Sequence, residues 1–466
     1  MPTFPSALAI LDALGANGTF RGTNREPITD VAGTKVAELS LVPRLFVQRC
    51  VRSLGKARPL PAAERAAALA RAGELFTSGA VGGATAADLH LAVARVCGLP
   101  VSCVRAAVEQ VGEFAATAAD TALAALPRGA VADWRDPAVG AGSGVWVRRG
   151  EVFAVHAPAN TPAVHAAWLE ALALGYRVAV RPSRREPFTP YRLVQALRAA
   201  GFPDDHVVLL PTDHGTADSV VADADVAIAF GGDAVVGKYG DGPAVLPQGP
   251  GRSKILLGAD VDHTAHLDVI VESVAGQAGT GCVNATAVFV EGDPRPVAEA
   301  IAARLAELPV LPPQDERAAL PVKPLAEAKQ LDGFLRERRA GAQVVLGESV
   351  VADLGDDSAA LTPAVYLLDR ADAPQARTEM GFPCVWVAPW SRADGIAPLR
   401  DTLVLTVVTD DEGLLDALVA DPTISTVHIG PRATTWKRPG LPHDGYLAGF
   451  LMRAKTVSRT DWEETA

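Results

Sequence analysis

The sequence predicts an α/β fold made of two successive parallel-sheet units. Three observations support this. From residue 151 to 230 short apolar strands alternate with helices, the rhythm of right-handed βαβ crossovers. After about residue 254 that rhythm restarts. Hydrophobic residues make up 49% of the 466 positions but aromatics only 5%, so the core must rest on Ala, Val and Leu, which suits helices laid on sheets.

The elements follow in order. Residues 35–125 read as helical. LPAAERAAALARAGELF (60–76) is rich in strong helix formers, and ATAADLHLAVARVCGLP (84–100) opens near Thr85 and stops at Gly98–Pro100. The pattern continues from Ser102 to Leu126. VWVRRGEVFAVHAP (145–158) reads as a β-hairpin turning at Arg149–Gly150. The preceding GAGSG leads into a strand and not a helix, which argues against a phosphate loop. EVFAVHAP, YRVAVRPS, HVVLLP and VAIAFGG are strands. TPAVHAAWLEALALG, FTPYRLVQALRAAG and GTADSVVAD are the helices between them. In the second unit KILLG precedes the helix AHLDVIVESVAGQA. ATAVFVEG, the helix PRPVAEAIAARLAEL, and the strands VVLG, AVYLL, VWVAPW and LVLTVVT complete it. The tail LAGFLMRAKTVSRTDWEETA is too short to be a domain.

Charge and cysteine usage exclude several classes. Lys and Arg total 43 against 54 Asp and Glu, a net charge of −11, the opposite of a general nucleic-acid binder. Pro, Gly or charge interrupts every apolar run that could span a bilayer, and the N-terminus lacks a basic n-region. Cys50, Cys97, Cys103, Cys282 and Cys384 form neither a disulfide framework nor a CxxC pair. The expectation is a reduced, cytoplasmic protein with no metal site and no membrane insertion.

Cys282 differs from the other four cysteines. It lies in GQAGTGCVNATA, between a helix and a strand, where small neighbours let a substrate approach. Nucleophile and plain loop cysteine are both open readings there. Asn160, in HAPANTPAVHAAW, stands where a strand meets a helix. It can donate to a developing oxyanion or cap the helix. On a regular helix Thr161, His165 and Trp168 share one face and could line a substrate passage or pack against the next layer. RPSRREP (181–187) puts basic residues at a strand end, as a phosphate site or a solvated turn. Two glycines in FGG (230–232) permit close approach to a phosphate.

PANTP, VRPS, FGGDAVVG, GQAGTGC and EMGFP occur in the order and spacing of the aldehyde dehydrogenase superfamily, which the chain resembles over about residues 25–460. The resemblance implies Cys282 as thiol nucleophile, with Asn160 and the Cys282 N–H as oxyanion donors. It implies a nicotinamide cofactor near Pro158. Pro182 and Ser183 fall in the adenosine-side motif, Gly232 and Asp233 at the pyrophosphate loop, and Glu379 at the nicotinamide-side ribose.

The departures carry information. Arg181 stands where the family usually has Lys, and Arg184 and Arg185 follow where an acid is common. Two cations there favour a 2′-phosphate, hence NADP(H) over NAD(H). Gln248, in QGPGRS, replaces the glutamate that serves as base in hydrolytic members, and an amide cannot take a proton from water. A thiol acceptor such as coenzyme A needs less help, so the chain resembles acylating members and acyl-CoA reductases. In the reductive direction Cys282 would attack an acyl thioester, expel the carrier thiol and accept hydride from NADPH to release an aldehyde. The acyl donor could be a coenzyme A thioester or an acyl-carrier protein. The alternatives are a hydrolytic aldehyde dehydrogenase using another base, with His165 and Glu272 as candidates, and a family scaffold that has lost activity.

The resemblance also implies a domain plan. Residues 1–125 and 146–247 would bind the cofactor, 248–440 would carry the catalytic cysteine, and 126–145 with 441–466 would form a small β oligomerisation element. The expected assembly is a homodimer or homotetramer.

Overall fold

Apolar strands buried on both faces organise the chain, and they form two seven-stranded sheets. The computed structural model describes residues 9–240 and 242–459. The first sheet runs Val245–Gln248, Val226–Phe230, Val152–His156, Arg177–Arg181, Val207–Leu209, Ala13–Gly15, Gly18–Phe20. Its first five strands are parallel; the last two join antiparallel. Pro247 sits on the edge strand, where its missing N–H costs no ladder bond. Alternate residues feed two cores. Phe153, Val155, Val178 and Val180 pack with helices Ala62–Ser78 and Val101–Leu123. Val152, Ala154, Ala179 and Val208 pack with Arg44–Lys56 and His214–Ala222.

The second sheet runs Gln343–Leu346, Ala364–Leu367, Cys384–Trp390, Ala285–Glu291, Ser253–Leu257, Thr402–Val408, Ile424–Ile429. Only its first pair is antiparallel. A third sheet joins Met452–Val457, Ser143–Arg148 and Ala130–Val131. Two further three-stranded sheets complete the described residues. This is the α/β architecture with two large sheets and a small one that the sequence predicts.

Three local expectations fail. Residues 145–158 are not a hairpin: Ser143–Arg148 pairs with Met452–Val457, while Val152–His156 enters the first sheet. Asp225 pulls the chain across by accepting the Glu151 and Val152 N–H groups at 2.7 and 2.9 Å. The strand Ser143–Arg148 therefore runs across the predicted boundary at 145/146. Lys35–Ser40 is a strand and not a helix start, because Ala9–Leu11 and Arg25–Thr29 flank it and take its backbone bonds. Finally, TPAVHAAWLEALALG is a 3₁₀ turn, Pro162–Ala166, followed by the short helix Leu169–Ala173. Three residues per turn rotate His165 and Trp168 away from Thr161.

Candidate active site

Both large sheets deliver residues to one cavity of about 1390 Å³. That exceeds the roughly 300–1,000 Å³ usual for a single small ligand, leaving room for a cofactor beside a substrate. The first sheet presents its carboxyl ends: Pro158 and Asn160 beyond Val152–His156, Gly232 beyond Val226–Phe230, and Gln248 itself. The second sheet presents its amino ends: Cys282 ahead of Ala285–Glu291, and Thr402 at the start of Thr402–Val408. Thr161, Asp233 and Glu379 also line the cavity.

The loop around Cys282 is tightly built. Gln277, Ala278 and Gly279 all have positive φ (54°, 59° and 67°), which is costly for the first two. A side chain at Gly279 would meet the Pro383 nitrogen at 2.4 Å, and one at Gly251 would meet the Cys282 carbonyl oxygen at 1.9 Å. Only glycine allows these approaches. Buried Asn284 accepts the Gly281 N–H at 2.8 Å and donates to the Ser273 and Gly276 carbonyls. Ser253 donates to the Cys282 carbonyl at 2.9 Å.

Cys50, Cys97 and Cys384 are buried, with thiols pushed up by desolvation; Cys282 is half-buried on the cavity wall. Enclosure by the wall pushes the Cys282 thiol up too. The Lys437 cation opposes the rise, while Glu379 and Asp444 add to it. His443 Nε2 lies 3.8 Å from Cys282 Sγ. Burial, with Lys437 nearby, holds His443 down to about 3, so its imidazole is neutral. Asn160 does not cap a helix. Thr161 is the cap, accepting the Ala163 N–H, and the Asn160 amide donates to the Thr280 carbonyl at 3.3 Å beside the cysteine loop.

The cofactor half of the cavity fits a nicotinamide dinucleotide. A side chain at Gly232 would meet nothing within 4 Å, so the backbone there is open to a ligand. Glu379 accepts the Arg252 N–H at 2.7 Å, which orients its carboxylate on the cavity wall. Asp233 is balanced by Arg252 at 2.7 Å. Among the described residues, no cluster of three or more His, Cys, Asp or Glu side chains is arranged to hold a metal. No helix of the described residues is long and apolar enough to cross a membrane.

Several expected residues lie elsewhere. His165 and Trp168 are core residues, 1% and 0% exposed, with the indole N–H donating to His165 Nδ1 at 3.1 Å. Neither lines the passage, and His165 cannot serve as a base for a water it never meets. Glu272 is exposed, hydrogen-bonded to Thr435 and outside the cavity lining. Arg181, Pro182, Ser183 and Arg184 also lie outside that lining. Buried Arg181 bonds Thr212 at 3.3 Å and His156 Nε2 at 2.9 Å. Burial and the Arg181 charge hold His156 down to about 4, in the neutral form that can accept that bond. Arg184 is paired with Glu26, and Arg185 with Glu327 at 2.8 Å.

The profile of the aldehyde dehydrogenase family matches residues 24–447. The chain belongs to that family. Malonate-semialdehyde dehydrogenase 2 of Bacillus mycoides (strain KBAB4) is 27% identical over 34% of this chain and 35% of its own. Hydroxyisobutyraldehyde dehydrogenase of Mycolicibacterium austroafricanum is 27% identical over 50% and 48%. The chain thus spans only a third to a half of the curated relatives' length in these matches. Shape agrees over much more. An NAD-dependent aldehyde dehydrogenase from Sinorhizobium meliloti superposes with TM-score 0.82 at 19% identity, covering 98% of this chain and 97% of the other. An NADP dependent enzyme of E. coli gives 0.81 at 17%, covering 96% and 98%. At these identities the structures establish the aldehyde dehydrogenase fold.

Sequence reasoning missed the loop before Leu447–Leu451, which brings Lys437, His443 and Asp444 to the cavity. Gln248 Nε2 donates to Asp444 Oδ2. The signal was present as a His–Asp pair in KRPGLPHDGY, a loop rich in Pro and Gly.

Proposed function

We propose that the protein is an NAD(P)-dependent oxidoreductase interconverting an aldehyde and an acyl product through a thioester on Cys282. The observation that carries this reading is one cavity holding the Cys282 thiol, the Asn160 amide and the Glu379 carboxylate. Cys282 Sγ adds to the carbonyl carbon, and its proton must leave because the thiol sits above its ordinary value. His443 Nε2, neutral and 3.8 Å away, is placed to accept a hydrogen bond from the thiol and orient it. The Asn160 Nδ2 and the Cys282 N–H would stabilise the oxyanion. A nicotinamide cofactor, when bound, supplies the hydride acceptor that converts the thiohemiacetal into a thioester. Glu379 and Gly232 would hold its ribose and pyrophosphate, with Pro158 close by.

A second reading, transfer of the acyl group to coenzyme A or a carrier-protein thiol, is favoured by Gln248 in place of an acid. It is consistent with the 26% identity, over 30% of this chain, to a Caenorhabditis elegans protein named as a probable acylating methylmalonate-semialdehyde/malonate-semialdehyde dehydrogenase. NADP(H) preference stays a proposal resting on Arg184 and Arg185, and a 2′-phosphate would have to compete with Glu26 and Glu327 for them. Assembly into a homodimer or homotetramer is proposed through the exposed strand Met452–Val457.

Stopped-flow assays of an aldehyde panel with NAD⁺ and NADP⁺ test the main reading. A burst of about one reduced cofactor per chain supports it; none with any aldehyde, and no acyl-thioester reduction, rejects it. Product analysis with and without coenzyme A separates carboxylate from thioester.

A further inference from the structure

A thioester on Cys282 must be resolved before another turnover, and water is a poor nucleophile without a base. Gln248 ends the edge strand Val245–Gln248, and its amide nitrogen can only donate. That nitrogen donates to Oδ2 of Asp444, and both side chains line the cavity that holds Cys282. The bond fixes one carboxylate oxygen and leaves the other free to accept. Asp444 is exposed to water within the cavity, and among the described residues it forms no ion pair. The loop is held in place by its neighbour. The His443 carbonyl accepts the Thr426 hydroxyl at 2.8 Å, and the His443 ring contacts Cys282 Sγ.

Three other titratable groups are less suited. Neutral His443 has too low a proton affinity to hold a proton from water, depressed as it is to about 3. Glu379 is engaged by the Arg252 N–H. Glu272 lies outside the cavity lining. Enclosure by the walls holds the Asp444 carboxyl above the usual carboxylate range, which makes it a stronger base than a solvated carboxylate.

Resting on the thioester reading above, we propose that Asp444 is the general base for hydrolysis of the Cys282 thioester, with Gln248 as its positioning residue. Water gives a proton to the free Asp444 oxygen while its own oxygen bonds to the acyl carbon. The tetrahedral adduct then collapses, the C–S bond breaks, and the proton held by Asp444 returns to the sulfur. A carboxylic acid leaves and the Cys282 thiol is restored, with no change in oxidation state. The carboxylate that the strand end lacks is supplied by a loop near the other end of the chain.

The test compares the full-length protein with Asp444→Asn and with the double variant Gln248→Glu/Asp444→Asn, measuring burst and steady state with one aldehyde and no added thiol. The expected result is a retained burst in Asp444→Asn with steady turnover reduced at least ~100-fold. The double variant, with its carboxylate moved across the same hydrogen bond, should recover most of that loss. Wild-type steady turnover in Asp444→Asn overturns the assignment, as does a lost burst that the double variant does not restore. Wild-type turnover that requires added coenzyme A also overturns it. A burst with unaltered Asp444→Asn turnover rejects only the Asp444 role, whereas no burst in the unmodified protein rejects the thioester reading and this inference together.

Discussion

The two large sheets meet the cavity with opposite ends. The first offers carboxyl ends, where the chain leaves strands through Pro158, Gly232 and Gln248. The second offers amino ends, with Cys282 held just before a strand begins. The first arrangement is the ordinary one for ligands in parallel sheets, since strand ends and helix starts gather there. Its main demand is open backbone, which Gly232 meets. The second must hold a reactive side chain in a fixed pose, and it does so with buried polar groups. Ser253 at 0% and Asn284 at 6% exposure brace the cysteine loop. Binding can tolerate an open surface, whereas attack by a sulfur atom requires a braced one.

That contrast can be broken in several places. The largest effect is expected at the contact between the two regions, where the Asn160 amide from the first sheet meets the cysteine loop of the second. Asn160→Ala should lower kcat by about 10²–10³-fold with little loss of cofactor affinity, as read from steady-state kinetics and cofactor titration. Gly251→Ala comes next. The added methyl would lie 1.9 Å from the Cys282 carbonyl oxygen, so urea unfolding should show a loss of about 1–3 kcal/mol, with activity falling as the loop shifts. The matching change at Gly232, with open space around it, should leave folding stability nearly unaltered.

A pH measurement sharpens the comparison further. The Cys282 thiol is raised by desolvation and lowered by the Lys437 charge. Alkylation by iodoacetamide should therefore climb with pH above neutrality, as the thiolate forms. Lys437→Met removes the cation that lowers the pKa and should move the midpoint to higher pH. A midpoint that stays in place would mean Lys437 does not act on the sulfur. The smallest effect is expected at Glu26, on the cofactor side. Glu26→Gln frees Arg184 and should raise the NADP⁺ to NAD⁺ ratio of kcat/KM by a factor of about 1.5–5, the ratio expected from one exposed ion pair.

Much of this was legible in the primary structure. The strands of both units and the helices Ala62–Ser78, Ala86–Cys97 and Val101–Leu123 carry strong local patterns. At Thr85 and Gly98 the helix ends are written out, as a capping box with Asp88 and a left-handed stop. Cys282 and Asn160 stood out through small or polar neighbours at strand ends. Most of the failures share a cause: they depended on a partner distant in the chain. Val147 and Val152 look like hairpin mates until Met452–Val457 and Asp225 claim the flanking backbone. His165 and Trp168 look like channel residues on a regular helix, and a 3₁₀ turn sends them into the core. Asp444 lies 196 positions from Gln248, and no local pattern reports that contact.

The most direct test of the account is mass spectrometry of the Cys282 peptide from protein quenched within the first turnover with an aldehyde and NAD(P)⁺. The account predicts an acyl adduct on Cys282, one per reduced cofactor formed, and none on Cys50, Cys97, Cys103 or Cys384. Reduced cofactor produced while Cys282 stays unmodified, or an adduct on another cysteine in its place, would contradict it.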